Sequence, residues 1–106
     1  MPDLPSAYPL RDLFDAALRY SAVRLSCPRC RHAQVFSAAA LWWLFHRKGW
    51  NDRFPNVRRR YFCRACLAQH GVKIHAELGF VDEAPTDDSL PMPSELDWKR
   101  ERRRRR

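Results

Sequence analysis

Apolar positions first fall into a helical rhythm at Leu10, Leu13, Phe14, Ala17 and Leu18, with Arg11, Asp12, Asp15 and Arg19 between them. Spacing of i, i+3, i+4, i+7 and i+8 predicts an amphipathic helix whose stripe needs a second surface to cover it. Pro9 suits the first turn, and Arg11 with Asp15 and Asp15 with Arg19 stand as weak i, i+4 ion pairs. The period then shortens to two. Val23, Leu25 and Cys27 alternate with Arg24 and Ser26, which predicts a short strand running into a cysteine.

The run FSAAALWWLFHRKG carries the fullest set of helix punctuation in the chain. Ser37 suits an N-cap, and Phe36 with Leu41 forms a hydrophobic staple. His46, Arg47 and Lys48 fall in the last turn, where they complement the negative end of the helix dipole, and Gly49 suits a left-handed stop. At about 100° per residue, Ala38, Leu41, Leu44 and Phe45 share one face, with Trp42 at its edge and Trp43 opposite. A helix apolar nearly all round is usually sandwiched between two layers, which favours burial of Trp43 over an exposed platform. Residues 51–60 read as a polar loop, Arg60-Tyr61-Phe62 as a strand into Cys63, and Val72, Ile74, Ala76 and Leu78 as a half-buried strand after the Gly71 turn. From Asp82 onward, three prolines and seven acids, six of them by Asp97, with little apolar content predict disorder.

This pattern divides the chain into a flexible N-terminus (1–9), one folded domain (10–81), an acidic disordered spacer (82–97) and a basic tail (98–106). With 106 residues in all, the folded part is too small for a sizeable core. Domains of this size commonly need a disulfide, a metal or a partner surface. The chain has four cysteines, in two CxxC pairs, and its N-terminal stretch lacks the apolar run of a secretory leader, so the expectation is a cytoplasmic protein. No apolar stretch approaches the ~20 residues that span a bilayer. In a reducing compartment, paired cysteines favour a metal over disulfides.

Cys27-Pro28-Arg29-Cys30 and Cys63-Arg64-Ala65-Cys66 share one spacing. Two intervening residues let both thiolates turn toward a common point, and two such pairs complete the tetrahedron of a closed Zn²⁺ site. The gap between the pairs exceeds the commonest ribbon spacing, and the predicted helix accounts for the excess. The expected fold is therefore a small α+β metal-stabilised domain, a zinc ribbon with a helix inserted between its knuckles. It holds one structural Zn²⁺ on Cys27, Cys30, Cys63 and Cys66. A thiol oxidoreductase is the competing reading, because proline after the first cysteine also occurs in redox CxxC motifs. Arg29, Arg31 and Arg64 read as compensation for the −2 charge of a Zn(Cys)₄ centre, and His32, His70 and His75 as solvated side chains.

CPRCRH, the short helix, Gly49, Asp52, Phe54, Val57 and then RYFCRAC together resemble a group of small zinc-ribbon proteins of alphaproteobacteria. The resemblance covers about residues 21–78 and implies zinc binding in a bacterial cytoplasm, without implying an activity. Those proteins usually place glycine directly after each second cysteine, where a left-handed residue closes the knuckle. Here Arg31 and Leu67 stand there.

Charge is distributed unevenly. Residues 1–81 carry 13 Lys/Arg and 5 Asp/Glu (+8), residues 82–97 six acids and no base (−6), and residues 98–106 seven bases and Glu101 (+6). Arg47, Lys48, Arg53, Arg58, Arg59 and Arg60 are interleaved with Trp50, Phe54 and Tyr61, a mixture suited to phosphate contact with base stacking. Arg102, Arg103, Arg104, Arg105 and Arg106 would bind phosphates through counterion release, and the acidic spacer would compete for them. No Ser/His/Asp arrangement or phosphate-cradling glycine loop is visible, so the expectation is a non-enzymatic binder of DNA or RNA, accessory or regulatory in role. The alternative is a zinc-stapled adaptor that docks another protein through its aromatic helix or tail.

Overall fold

The computed structural model describes residues 10–104. The expected flexible N-terminus, together with Arg105 and Arg106, lies outside them. Five helices and a three-stranded antiparallel sheet follow in the order α1 (Leu13–Arg19), β1 (Ala22–Ser26), β2 (Ala33–Ser37), α2 (Ala38–Lys48), α3 (Phe54–Arg60), α4 (Arg64–His70), β3 (Glu77–Val81) and α5 (Glu95–Arg104). The strands lie in the order β2-β1-β3. Val23 pairs with Phe36 on one side and Phe80 on the other, and Leu25 with Leu78, so one sheet face is apolar. That face, α1 and α2 enclose the main core, whose largest fully buried side chains include Trp42, Phe45, Leu13 and Leu41.

Local signals account for α1 and α2. The helix α1 starts at Leu13 rather than near Pro9, because the Asp12 carboxylate accepts the backbone N–H of Asp15 at 2.9 Å and caps it there. Ser37 Oγ accepts from Ala40 N–H, and Gly49 adopts φ 68° to end α2. Trp42, placed by the sequence at the edge of the stripe, is 1% exposed, with Phe14 edge-on at 5.3 Å and Trp98 at 5.3 Å. Leu44, expected in the core face, and Trp43 are both only half-buried.

Elsewhere the structure corrects the pattern. The expected loop at 51–60 contains α3, with Pro55 in its first turn and fully buried Val57 as its anchor. The strand expected at 60–62 reduces to a single bridge, Phe62 with His75, and the one expected from Val72 starts only at Glu77. β2 was not foreseen. Val35 and Phe36 are both buried, which erases the strand's alternation, and the segment after β3 lies along the outer edge of β2 at Val35.

That covering segment is the expected disordered spacer, and it is ordered. Thr86 exchanges hydrogen bonds with Val35 (Val35 N to Thr86 Oγ1 2.9 Å, Thr86 N to Val35 O 2.9 Å), while Asp87 bridges Phe36 in parallel. The strap thereby pairs the open edge of β2, which would otherwise expose unpaired backbone groups. Leu90 and Trp98 then pack on the main core. Ser94 caps α5, accepting from Asp97 N–H at 3.1 Å, so the expected disordered tail is a docked helix as far as Arg104. Low apolar content failed as a sign of disorder because two well-placed anchors and one edge pairing supply the docking.

Candidate metal centre and basic surface

Both CxxC pairs converge. The four sulfurs lie within 4.8 Å of one another, with Cys27 Sγ 3.7 Å from Cys66 Sγ and Cys30 Sγ 3.5 Å from Cys63 Sγ. A regular tetrahedron with zinc–sulfur bonds of about 2.3 Å has edges of about 3.8 Å, so the cage fits one Zn²⁺ and is too open for disulfide bonds. His32, His70 and His75 are exposed and join no ligand cluster among the described residues. His75 Nδ1 instead lies 3.1 Å from the Arg58 carbonyl.

The two pairs are built differently. Cys27 follows β1, and its knuckle is the turn of the β1–β2 hairpin: Arg31 N–H donates to Cys27 O (2.9 Å) and Cys27 N–H to His32 O (2.8 Å). Arg31 takes φ 66°, the left-handed conformation expected after the second cysteine, but without glycine. Cys63 is instead the N-cap of α4, and Leu67 continues that helix, donating to Cys63 O at 3.1 Å. The second knuckle therefore lacks the hairpin that a zinc ribbon places there. Both share one local device: the N–H of the second cysteine points at the sulfur of the first, at 3.5 Å in each case.

Burial separates the thiols. Cys27, Cys63 and Cys66 are buried and Cys30 is exposed. In the metal-free protein the backbone N–H of Cys30, more than any other contact, brings Cys27 down to about 7, whereas burial pushes Cys66 up to about 12. The helix start that a redox CxxC motif exploits thus belongs to the second pair, where burial raises the Cys66 thiol rather than activating it. Arg29, Arg31 and Arg64, all exposed, flank the four cysteines in the chain.

The structure divides the basic and aromatic candidates. Arg58 is structural, its Nε donating to Ala76 O at 3.1 Å. Trp50 is already engaged, edge-on to Phe45 with the Arg60 guanidinium 3.7 Å from its ring centroid, and offers no free platform. Arg47, Lys48, Arg53, Arg59 and Arg60 are exposed, and none is ion-paired among the described residues. The half-buried Trp43 lies stacked with His46 at 5.6 Å and 18°, with Arg47 5.8 Å from its ring. The sequence signal for the His46 contact is its place one turn beyond Trp43 on α2. On α5, Arg102 and Arg103 are exposed, whereas Arg104 is paired with the buried Glu101 at 2.9 Å.

The fold and site define a small α+β domain with a four-cysteine centre able to hold one metal ion. No protein-family model matches this chain, and neither a curated protein nor a solved structure does. No helix among the described residues is long and apolar enough to cross a membrane.

Proposed function

We propose that the chain is a structural-zinc domain that binds nucleic acid without catalysis, as an accessory or regulatory factor in the cytoplasm. Four cysteine sulfurs within 4.8 Å of one another form a soft donor set that favours Zn²⁺ over harder ions. The observation that carries the binding reading is the set of five exposed cations, Arg47, Lys48, Arg53, Arg59 and Arg60, without acidic partners among the described residues. An unpaired basic surface beside a Trp43/His46 stack suits phosphate contact with sequence-tolerant stacking. The arm adds to it. On this C-terminal arm, Met92 meets Ser37 at the start of α2, Trp98 of α5 packs on Trp42, and Arg102 and Arg103 are exposed.

The test is an electrophoretic shift of a generic oligonucleotide at several salt concentrations. Five phosphate contacts give a log–log salt slope of about −4.5 on duplex, and replacing Arg47 and Lys48 by glutamate should flatten it by about 2. A flat salt response would refute the reading. A second reading, a protein-binding adaptor, is favoured by Met92 and Leu96, each 59% exposed on the strap and arm. Pull-down lost on changing Leu96, with no oligonucleotide shift, would establish it instead.

A further inference from the structure

The metal centre is asymmetric in a way that its structural role does not require. Three of the cysteines are buried, while Cys30 stands exposed at the tip of the first knuckle. Its sulfur lies 3.5 Å from that of Cys63, across the boundary between the hairpin and α4, and the remaining two sulfurs, Cys27 and Cys66, form the other cross-knuckle approach at 3.7 Å.

We propose that Cys30 is an oxidant-modification site: a hydroperoxide oxidises Cys30, and Cys63 resolves it into a disulfide that spans the two knuckles and releases the metal. This rests on the metal reading and is independent of nucleic acid. The peroxide's distal oxygen is attacked by the Cys30 thiolate, the O–O bond breaks, and Cys30 becomes a sulfenic acid with departure of hydroxide or alkoxide. The Cys63 thiolate then attacks the Cys30 sulfur, forming the S–S bond and expelling a second hydroxide. For hydrogen peroxide, the two sulfurs lose two electrons, the peroxide gains them, and two protons from solvent complete two waters. Cys27 and Cys66 remain unoxidised, and two ligands no longer hold a four-coordinate ion.

Access decides which sulfur reacts first, since oxidation follows thiolate character and exposure, and Cys30 alone of the four is open to solvent. Proximity decides the partner. Shortening 3.5 Å to a bonded 2.0–2.1 Å needs only a small movement of the hairpin tip toward the first turn of α4. The product keeps the hairpin and α4 tethered after the ion has left, so thiol–disulfide exchange with an external dithiol, itself oxidised to a disulfide, can return both thiols and restore the site.

The chain supplies its own assay. Arg24, Arg29, Arg31, Arg60, Arg64 and Lys73 place each cysteine on a separate tryptic peptide. The metal-loaded full chain is treated with one equivalent of hydrogen peroxide, metal release is followed with a colorimetric chelator, and disulfides are mapped by mass spectrometry. The expected first product joins Cys30–Arg31 to Tyr61–Arg64, with about one metal ion released per disulfide. A first disulfide within either CxxC pair, or metal loss without any disulfide, overturns the proposal. Metal content before oxidant tests the zinc reading separately. Cys30→His keeps a fourth ligand but removes the attackable sulfur, and should slow peroxide-driven release at least tenfold; release at the wild-type rate overturns the assignment.

Discussion

Two stretches of identical spacing, Cys27–Cys30 and Cys63–Cys66, end in unlike structures, a hairpin turn and a helix start. The CxxC spacing sets what both share, a second-cysteine N–H aimed at the first sulfur. It leaves open how the chain departs. After Cys30 the backbone must turn back as β2, which demands a left-handed residue at Arg31. After Cys66 it continues into α4, where Leu67 needs only helical angles. The residue following each pair therefore says more about local fold than the cysteines do.

Metal removal is the strongest way to challenge this comparison. Structural zinc contributes roughly 10–16 kcal/mol of gross binding energy in small domains, much of it folding energy. Chelation should therefore abolish the circular-dichroism signature of the hairpin tip and α4, while an unchanged spectrum would show that the knuckles fold without an ion. Single ligands should not be equivalent. Cys66 is 2% exposed, so Cys66→Ser buries a poor ligand, whereas water can complete the shell at exposed Cys30. Competition against a chelator should show Cys66→Ser losing at least tenfold more affinity than Cys30→Ser.

Acid should act in the same direction. Cys66, held up chiefly by burial, and Cys30, also raised, carry protons at neutral pH in the metal-free protein, and binding must expel them. A bound thiolate is a group whose pKa is depressed relative to the free thiol, so its stabilisation is present at high pH and lost as pH falls. Metal affinity should thus drop by at least about 100-fold per pH unit near neutrality, since two protons compete for the site. Below about pH 7 the slope should steepen as Cys27 also takes up its proton. A pH-independent affinity would contradict the four-thiolate set.

A change in the other core checks that these effects are local. Trp98 packs on Phe14 at 5.1 Å and on Trp42, in the cluster that excludes the cysteines. Trp98→Ala should cost about 2 kcal/mol in urea unfolding, below the range for a fully buried tryptophan because Trp98 is half-buried, and should leave metal affinity unchanged.

What the sequence revealed depended on the range of the interaction. Ser37 and Gly49 act within one turn of α2, and the four ligands act through a spacing, so both were legible. The helix α3 was not, because two apolar anchors, Phe54 and Val57, are too few to set a rhythm. The strap and arm were hidden for a different reason. Thr86 finds Val35 at a separation of 51 residues, and Trp98 finds Phe14 from farther still, whereas a composition argument averages over neighbours. The same distance effect misjudged Trp50, since its partner Arg60 lies ten positions away and occupies the ring face that looked available.

The finest test of the two knuckles exchanges one residue in each for the same amino acid. Arg31 occupies a left-handed conformation that costs an L-residue about 1–2 kcal/mol, partly offset because glycine loses more backbone freedom on folding, by about 0.5–1 kcal/mol. Arg31→Gly should therefore stabilise the metal-bound protein by about 0.5–1 kcal/mol. Leu67 sits in the second turn of α4, where glycine costs about 1 kcal/mol in propensity, with further loss from its half-buried side chain. Leu67→Gly should accordingly destabilise by about 1–2 kcal/mol. Both are read as shifts in urea midpoint at saturating zinc. Opposite signs follow only if one knuckle turns back and the other runs on into a helix; glycine stabilising both positions would restore two equivalent ribbon knuckles.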